Sequence, residues 1–582
     1  MASSRRAAKR AAAPATGLPA GAPRLVTGNS PAGFAYRVGF LGCPPRPGVE
    51  WSEANIARLR GLGFNTVQLN IAWGYRPGGE ALNLEDVIDV PPRLAGAVPM
   101  LGDQSPERRR RRRRDLRLRA RRAHAAGMRT LFHFGAPYVG DQYIHDAPPN
   151  CLLDGKTRER CRYLLERFGR EFPEVDDILI YTYDQHAWLC NEFGPCPRCT
   201  GIPLHDRVVP FLEEMGRVWR GSHADGRLWW EPWELSAGQV QRCIERIDAR
   251  GVGLALHCTV AEVIATQPTD RWLRNCCQLA AQRDIPVVVE YWLGGPSEEL
   301  EPYLHLAYPL VTLRGLHAIA GVAGAVGIKE YFGLIPDRED PNLRMTGIFL
   351  ADPGVDEAEA LARLAAPYGP AAQGMIAFWE HSSAAIELFP WDTSWLIREI
   401  GKSDPVHAMT AACIHGVPWH TPSWASTRRA VYMQVDPGEV DPWMLEDVQL
   451  RCELAAQRMA TALALADEIG AAVPAALAPD FARNVAELRE LRRRTVAYAL
   501  HLRETNLVTT MRVCRAHGRE IPRRTLAELQ EVLTADRENQ GQPEPVGGAL
   551  RLLAEDVDAF LSTYFTVVPD RHSKGNFSLT SR

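Results

Sequence analysis

The sequence lacks any long apolar segment. No stretch approaches the roughly 18 consecutive apolar residues that a membrane-spanning helix requires. Residues 1–23 are basic and rich in Ala and Pro, without the apolar core of a secretory signal. We therefore expect a cytoplasmic protein with no membrane partner. We interpret residues 1–30 as a disordered tail, with a transit peptide as the alternative.

The sequence also lacks a dominant charge. Its 67 basic and 70 acidic residues give a net charge of −3, which creates no overall attraction for nucleic acid. The exception is a run of seven arginines at 108–114, followed by four more up to residue 122. Such a run could bind a polyanion. Because no aromatic residues interrupt it, we interpret it as the solvated face of a helix and expect no nucleic-acid partner.

Cysteines are too sparse for a disulfide scaffold, since thirteen are scattered over 582 residues. We expect reduced thiols and no cofactor, with one exception. Cys190, Cys196, Cys199 and His205 have the spacing of structural zinc ligands. A second CxxC motif is absent, so packed thiols without a metal are the alternative.

Strand-like and helix-like segments alternate over residues 31–400. This pattern predicts an α/β fold, a (β/α)8 TIM barrel. A doubly wound open sheet is the alternative, but no glycine-rich phosphate motif follows the first strand. Nine segments qualify as strands although a barrel needs eight, so either the first or the last is superfluous. The nine are residues 34–41, 64–72, 128–134, 177–183, 227–230, 252–256, 285–289, 323–328 and 374–379.

The pattern changes after residue 400. Residues 442–472, 479–517 and 547–566 have long helical spacing with no strands between them. We predict an all-α C-terminal helical domain over 401–567 and a frayed tail over 568–582. This domain would pack on the barrel, form a homodimer or close one side of the barrel mouth.

Acidic residues recur where the predicted strands end. In a barrel, side chains just beyond the strand C-termini converge on one cavity. Asp184, Glu231, Glu290 and Glu330 hold these positions, and we predict that they are catalytic. For each acid taken alone, a structural salt bridge is an equally good explanation. Their recurrence at the same register of successive repeats favours a site.

Many aromatic and polar side chains surround these acids. Aromatic ring faces bind the C–H faces of sugars, and carboxylates bind hydroxyls or transfer protons. We therefore predict a carbohydrate substrate. His257 could equally be a buried core histidine. The predicted substrate-binding residues are Trp73, Tyr75, Arg76, His133, Tyr183, Trp230, His257, Tyr291, Trp292, Tyr331 and Trp379.

Glycosidic hydrolysis needs one protonated acid and one ionised carboxylate. We assign Glu290 as the general acid, because Tyr291 and Trp292 make its surroundings apolar. Glu330 then becomes the base or nucleophile, and Asp184 orients the substrate or the attacking water. Alternation along the strand would point the neighbouring Lys329 out of the barrel. Arg76 and His133 suggest an acidic sugar, such as a uronic or sialic acid.

The order of these motifs resembles that of barrel glycoside hydrolases. It runs from Asp184 through Trp-Trp-Glu231-Pro-Trp-Glu and Glu290-Tyr-Trp to Trp379-Glu380, before the helical region. The α-glucuronidases and β-hexosaminidases are the types most similar in layout. The sequence has Asp184-Gln where β-hexosaminidases have an Asp-Glu pair, which argues against their substrate-assisted mechanism. The resemblance implies a glycosidase.

Two other functions fit the same residues. A sugar isomerase or epimerase would hold a divalent metal through Asp184, Glu231, His257 and Glu290. A barrel that binds carbohydrate without catalysis would need only the aromatic residues. Activity before and after chelation separates the hydrolase from the isomerase.

Overall fold

The computed structural model describes most of the two predicted regions. The described residues are 33–43, 46, 48–70, 81, 83–94, 105–134, 151–181, 196–232, 235, 237–258, 271–297, 300, 303–389, 442–541 and 548–563.

Eight parallel strands close into a barrel in sequence order, β1 next to β2 and so on, with β8 returning to β1. The predicted TIM barrel is therefore confirmed. The first strand candidate is β1. The strands are β1 Tyr36–Phe40, β2 Thr66–Gln68, β3 Arg129–Phe134, β4 Asp177–Tyr181, β5 Leu228–Glu231, β6 Val252–His257, β7 Val287–Tyr291 and β8 Ala325–Glu330.

Helices follow the strands and cover the outside of the barrel. Their buried faces are rich in Leu, Val and Phe, which pack against the outward side chains of the strands. These helices are α1 Glu53–Gly61, α2 Pro106–Ala125, α3 Gly155–Glu171, α4 Leu204–Ser222, α5 Ala237–Ile244, α6 Arg271–Ala281, α7 Pro309–Ala320, α8 Pro341–Ala351, α9 Glu357–Ala365 and α10 Ala372–Leu388.

The ninth strand candidate, residues 374–379, is the superfluous one of the nine. It lies in α10, where Met375, Phe378, Trp379 and Ser382 are buried. Their spacing of three and four residues is that of a helix face. A six-residue window hides this period, which the longer segment reveals.

The arginine run lies in α2 and binds the neighbouring protein surface. Arg117 donates to the carbonyl of Glu171, and its guanidinium lies 4.8 Å from the centre of the Phe172 ring. Arg119 donates to the carbonyl of Leu69. Within residues 108–114, four arginines are exposed, two are half-buried and Arg112 is buried. The helix therefore combines a solvated face with arginines that contact adjacent connections.

An all-helical region follows the barrel, as predicted. Its helices are α11 Pro442–Ile469, α12 Ala478–Ala516, α13 Arg523–Gln540, α14 Ala549–Glu555 and α15 Val557–Thr563. Among the described helices, none is long and apolar enough to cross a membrane.

Helix α12 contacts the connections that follow β7 and β8. The carboxylate of Glu487 accepts the backbone N–H groups of Leu304 and His305, and Asp480 accepts that of Glu339. These connections leave the carboxyl ends of the strands. The helical region therefore packs beside the barrel mouth, which is one of the three roles predicted for it.

Candidate active site

Four charged or titratable side chains meet at the carboxyl ends of strands β5 to β8. Glu290 accepts from Lys329 Nζ, which lies 2.6 Å from Glu290 Oε1. His257 Nε2 lies 3.0 Å from Glu290 Oε2 and 3.8 Å from Glu231 Oε1. All four residues are more than nine-tenths buried.

Strand register explains why these side chains meet. His257 pairs with Glu290 across β6 and β7, and Glu290 pairs with Lys329 across β7 and β8. Residues at the same level of adjacent strands project to the same side of the sheet. These three side chains therefore form one row at the floor of the barrel mouth, with Glu231 of β5 beside it.

Burial and neighbouring charges shift the pKa values of the two carboxyl groups in opposite directions. Burial, together with the nearby charge of Glu290, holds the pKa of Glu231 well above its ordinary value. Burial alone would raise the pKa of Glu290, but Lys329 and His257 more than offset it and lower that pKa. These shifts favour the neutral form of Glu231 and the charged form of Glu290.

Lys329 is the cation that balances the ionised carboxylate. Burial alone would lower its pKa, yet the neighbouring Glu290 carboxylate raises the pKa of Lys329 above its ordinary value. Its ammonium also donates to the carbonyl of Glu330. The charged pair is thus fixed in a dry environment, where a hydrogen-bonded ion pair is far less screened than in water.

His133 of β3 forms the opposite wall of the site. Its Nε2 lies 3.7 Å from Glu231 Oε2, and its backbone exchanges two hydrogen bonds with the side-chain amide of Asn70. Gln68 Nε2 lies 3.5 Å from the other ring nitrogen. Burial, with the charge of Lys329, lowers the pKa of His133 well below its ordinary value. This shift favours the neutral imidazole form of His133.

Glu330 has a different environment from the one predicted for it. Its carboxylate accepts the backbone N–H groups of Leu293, Phe332 and Gly333 at 2.7–2.9 Å. Burial raises the pKa of Glu330 to about 7 in spite of these three donors. Successive strand residues face opposite sides. Because Lys329 faces the cavity, Glu330 faces the turns after β7 and β8, and the predicted orientation of the two residues is reversed.

Two predicted aromatic residues lie beside the row. The Tyr331 ring lies 4.9 Å from the His257 ring, and the Trp292 ring lies 5.4 Å from that of Tyr331, both edge-on. Both side chains follow the strand ends directly. They form an aromatic border on the His257 side of the site. His257 is the most exposed of the four central residues.

The other described aromatic candidates lie elsewhere. Tyr291 donates its hydroxyl to the carbonyl of Val311 in α7, so its ring packs between barrel and helix. Trp230 is fully buried and alternates with Glu231 along β5, which places it on the outer face of the strand. Trp379 contacts Tyr368 from within α10 and does not follow a strand. The structure thus does not bring these three together with the charged row.

Several predicted site residues lie outside the described residues. They are Asp184, Trp73, Tyr75, Arg76, Tyr183 and Cys190. Their roles remain predictions from the sequence.

The cysteine cluster has a different composition from the predicted one. Cys151 joins Cys196 and Cys199, with sulfur atoms 3.8 Å apart for Cys151 and Cys196 and 3.9 Å apart for Cys151 and Cys199. His205 contacts Asp206 and does not belong to this group. A spacing of 45 residues between Cys151 and the CxxC hid the third thiol from motif analysis.

Sequence analysis also missed Lys329 and Asn70. Alternation along β8 places Lys329 and Glu330 on opposite faces of the strand, but it does not show which of the two faces the site. Asn70 gave no signal, since an isolated amide after a short strand has no distinctive spacing.

No known protein-family profile matches the chain, and no curated protein matches its sequence. Solved structures do match. A GH138 enzyme targeting pectin rhamnogalacturonan II is 10% identical with a TM-score of 0.56, covering 88% of this chain and 62% of that one. This chain thus spans less than two thirds of that enzyme's length.

Two further structures match with lower scores. An O-GlcNAc hydrolase mutant from Thermobaculum terrenum is 12% identical, with a TM-score of 0.39 and coverages of 92% and 95%. CpGH84B is 10% identical, with a TM-score of 0.43 and coverages of 91% and 76%. Of these three structures, the GH138 enzyme is the one with a TM-score above 0.5. Because the sequences are 10% identical, this similarity shows a shared fold. The predicted resemblance to barrel glycoside hydrolases is confirmed at the level of fold.

Proposed function

We propose that the protein is a glycoside hydrolase in which Glu231 is the general acid and Glu290 is the ionised carboxylate. The observation that carries this proposal is the placement of two buried carboxyl groups close together, with Glu290 bound to Lys329, which shifts their pKa values in opposite directions. Glycosidic cleavage requires this pairing. Two neighbouring carboxyls with separated pKa values are the usual source of an acid and a base in one site.

The assignment exchanges the role that sequence analysis gave to Glu290. Apolar neighbours in sequence suggested a protonated Glu290. Lys329 instead donates to its carboxylate, and His257 Nε2 lies 3.0 Å from it, and both favour its charged form. Glu231, in contrast, is buried next to the Glu290 carboxylate, and both factors favour its neutral form. Glu231 can therefore protonate the leaving oxygen while Glu290 stabilises or attacks the anomeric carbon.

The spacing of the two groups favours retention of configuration. Carboxylate oxygens of Glu231 and Glu290 approach to within 4.8 Å, together with a ring nitrogen of His257. An inverting enzyme separates its carboxyl groups by about 6.5–9.5 Å to admit a water molecule. The nearest oxygens of this pair are closer to each other than that range, which favours retention. The proposal is a double displacement in which Glu290 forms and then releases a glycosyl ester.

Trp292 and Tyr331 provide the surface that would bind the sugar ring. Both rings border the row on the side of His257. A flat aromatic face packs against the C–H groups of a pyranose, and the polar atoms of Tyr and Trp can bind hydroxyls. This aromatic border supports a carbohydrate substrate.

That the substrate is an acidic sugar is a narrower proposal than that it is a carbohydrate. His133 is neutral, and the charge of Lys329 is balanced by Glu290, so neither offers a free cation to a sugar carboxylate. The preference for a uronic or sialic acid therefore depends on Arg76, which lies outside the described residues.

Matched aryl glycosides test the proposal. A panel of neutral and uronic or sialic acid substrates is assayed with the wild-type protein and with Glu231→Gln, Glu290→Gln and Asp184→Asn. We expect Glu290→Gln to lose kcat by several orders of magnitude on every substrate. Glu231→Gln should recover activity on dinitrophenyl glycosides, because that leaving group needs no proton.

Three outcomes would contradict the assignment. An absence of turnover on the whole panel, with sugar binding retained, would indicate a carbohydrate-binding barrel. Recovery of Asp184→Asn rather than Glu231→Gln on the activated substrates would make Asp184 the acid. Preference for neutral sugars would remove the argument for an acidic substrate.

The metal-dependent isomerase is the second candidate, because Glu231, His257 and Glu290 could ligate an ion. Lys329 opposes it, since its ammonium already occupies the position next to Glu290 Oε1. A divalent cation there would be repelled by a buried positive charge. Glycosidase activity that persists after chelation would support the hydrolase, whereas sugar interconversion that requires added metal would support the isomerase.

A further inference from the structure

Three cysteine side chains form a separate buried cluster between two connections of the barrel. Cys151 lies in the connection between β3 and α3, and Cys196 and Cys199 lie in the connection between β4 and α4. All three are at most 2% exposed, and they form a cluster of their own apart from the main core. The mechanism proposed above uses none of them.

The spacing of the sulfur atoms matches that of a tetrahedral metal site. With metal–sulfur bonds of about 2.3 Å, two thiolates of a tetrahedral zinc site lie about 3.8 Å apart. The corresponding distances here are 3.8 Å for Cys151 and Cys196 and 3.9 Å for Cys151 and Cys199.

The backbone around the CxxC motif supports the same geometry. The N–H groups of Cys199 and Thr200 both donate to the carbonyl of Cys196, at 3.3 and 3.0 Å. This tight turn brings the sulfurs of Cys196 and Cys199 to one side, where Cys151 meets them. The cysteines are thus placed by a compact turn and by a residue that precedes helix α3.

We propose that Cys151, Cys196 and Cys199 bind a structural zinc ion that fastens these two connections together. Thiolate ligands favour zinc among the common divalent ions. Three thiolates leave one position of a four-coordinate ion, which the described residues do not fill. Cys190 lies outside the described residues and is not part of the proposal, and His205 is not a ligand.

The site has a structural consequence for the barrel mouth. Cys151 lies three residues before Asp154, whose side chain caps the first turn of α3. Arg198, between the two cysteines of the CxxC, lies 3.7 Å from the same Asp154 carboxylate. An ion at this point would hold both connections against the start of α3.

Metal analysis of the purified full-length protein tests the proposal. We expect close to one equivalent of zinc per chain, released by titration with an organomercurial that consumes the three thiolates. Cobalt added in place of zinc should produce a thiolate-to-metal charge-transfer band. Cys151→Ala should lose the metal and the band and lower the melting temperature, whereas His205→Ala should retain the metal.

Cys161→Ala is the matched control, because Cys161 is equally buried ten residues further along but packs in the main core. It should keep the zinc. If Cys151→Ala is insoluble, cobalt binding and mercurial release on the wild-type protein still decide the matter. Protein that contains no metal and binds no cobalt, or in which two of the three cysteines form a disulfide, would overturn the proposal.

Discussion

Lys329 Nζ lies 2.6 Å from Glu290 Oε1 in the floor of the barrel mouth, and both side chains are almost completely inaccessible to solvent. A buried ion pair of this kind is costly to break, because removing one partner leaves the other charge in a medium of low polarity. The pair therefore fixes both the position and the charge of the proposed nucleophile. Lys329 is in this sense a positioning residue.

The first prediction concerns this pair. Lys329→Met should lower the free energy of unfolding by about 3–5 kcal/mol, because it leaves Glu290 unpaired. Adding Glu290→Gln should restore part of that loss, since the second substitution removes the stranded charge. Urea denaturation of both single variants and the double variant measures the coupling free energy. Lys156→Met, at an exposed lysine, is the control. Simple additivity of the two changes would show that the pair is not energetically linked.

The second prediction concerns Glu231 and pH. Folding raises its pKa, so the native state keeps a proton that the unfolded state loses above about pH 4.3. The free energy of unfolding should therefore fall as pH rises above about 4.3. Glu231→Gln removes this dependence, and the variant should gain stability relative to wild type as pH increases. Melting temperatures from pH 4 to pH 8 measure the difference. The exposed control Glu453→Gln should run parallel to wild type. A parallel curve for Glu231→Gln would show that Glu231 is ionised.

Sequence analysis predicted the barrel and the helical region because both depend on repeated patterns. Apolar strands alternating with helices mark each βα unit, and no single residue decides the result. The superfluous ninth strand candidate shows the limit of judging a segment of six residues by itself. Residues 374–379 are apolar enough for a strand, and only the spacing of Met375, Phe378, Trp379 and Ser382 over the longer segment reveals α10.

The positions of site residues along the strands were also predictable, but their orientations were not. Choosing between Lys329 and Glu330 required the phase of β8, and the last strand residue does not define it. Tyr291 was assigned to the sugar site for the same reason, although it faces α7. The protonation of Glu231 and Glu290 could not be predicted from the sequence either. The pKa of Glu290 is set by Lys329 and His257 on neighbouring strands, and sequence spacing gives no such distances.

The third prediction separates structural from substrate-binding aromatic residues. Tyr291→Phe removes the hydrogen bond to the Val311 carbonyl and should cost about 1 kcal/mol of stability, with KM unchanged. Trp292→Phe keeps an aromatic ring but reduces its area and removes the indole N–H, so KM should rise severalfold. Steady-state kinetics on an aryl glycoside and thermal unfolding measure the two effects. An increase in KM for Tyr291→Phe, without one for Trp292→Phe, would contradict this division.

The last prediction contrasts Glu330 with Glu290. Glu330→Gln replaces one carboxylate oxygen by an NH2 group, which cannot accept a hydrogen bond. One of the backbone N–H donors therefore loses its acceptor, at a cost of about 1–3 kcal/mol. The pKa of Glu330 is raised to about 7 in the fold. Wild-type stability should therefore fall as pH rises from the unfolded value of about 4.3 towards 7, while Glu330→Gln has no such slope. The deficit of Glu330→Gln should shrink over this range.

The pKa of Glu290 is lowered by Lys329 and His257, so its contribution is lost as pH falls through the folded pKa and complete above about 4.3. The deficit of Glu290→Gln should thus grow as pH rises to that value and then stay constant. Chemical denaturation at closely spaced pH values compares both variants with wild type. Glu330→Gln should retain kcat, while Glu290→Gln loses it. If Glu330→Gln instead loses kcat at unchanged stability, Glu330 is a catalytic residue, as the sequence first suggested, and its three backbone contacts do not define its role.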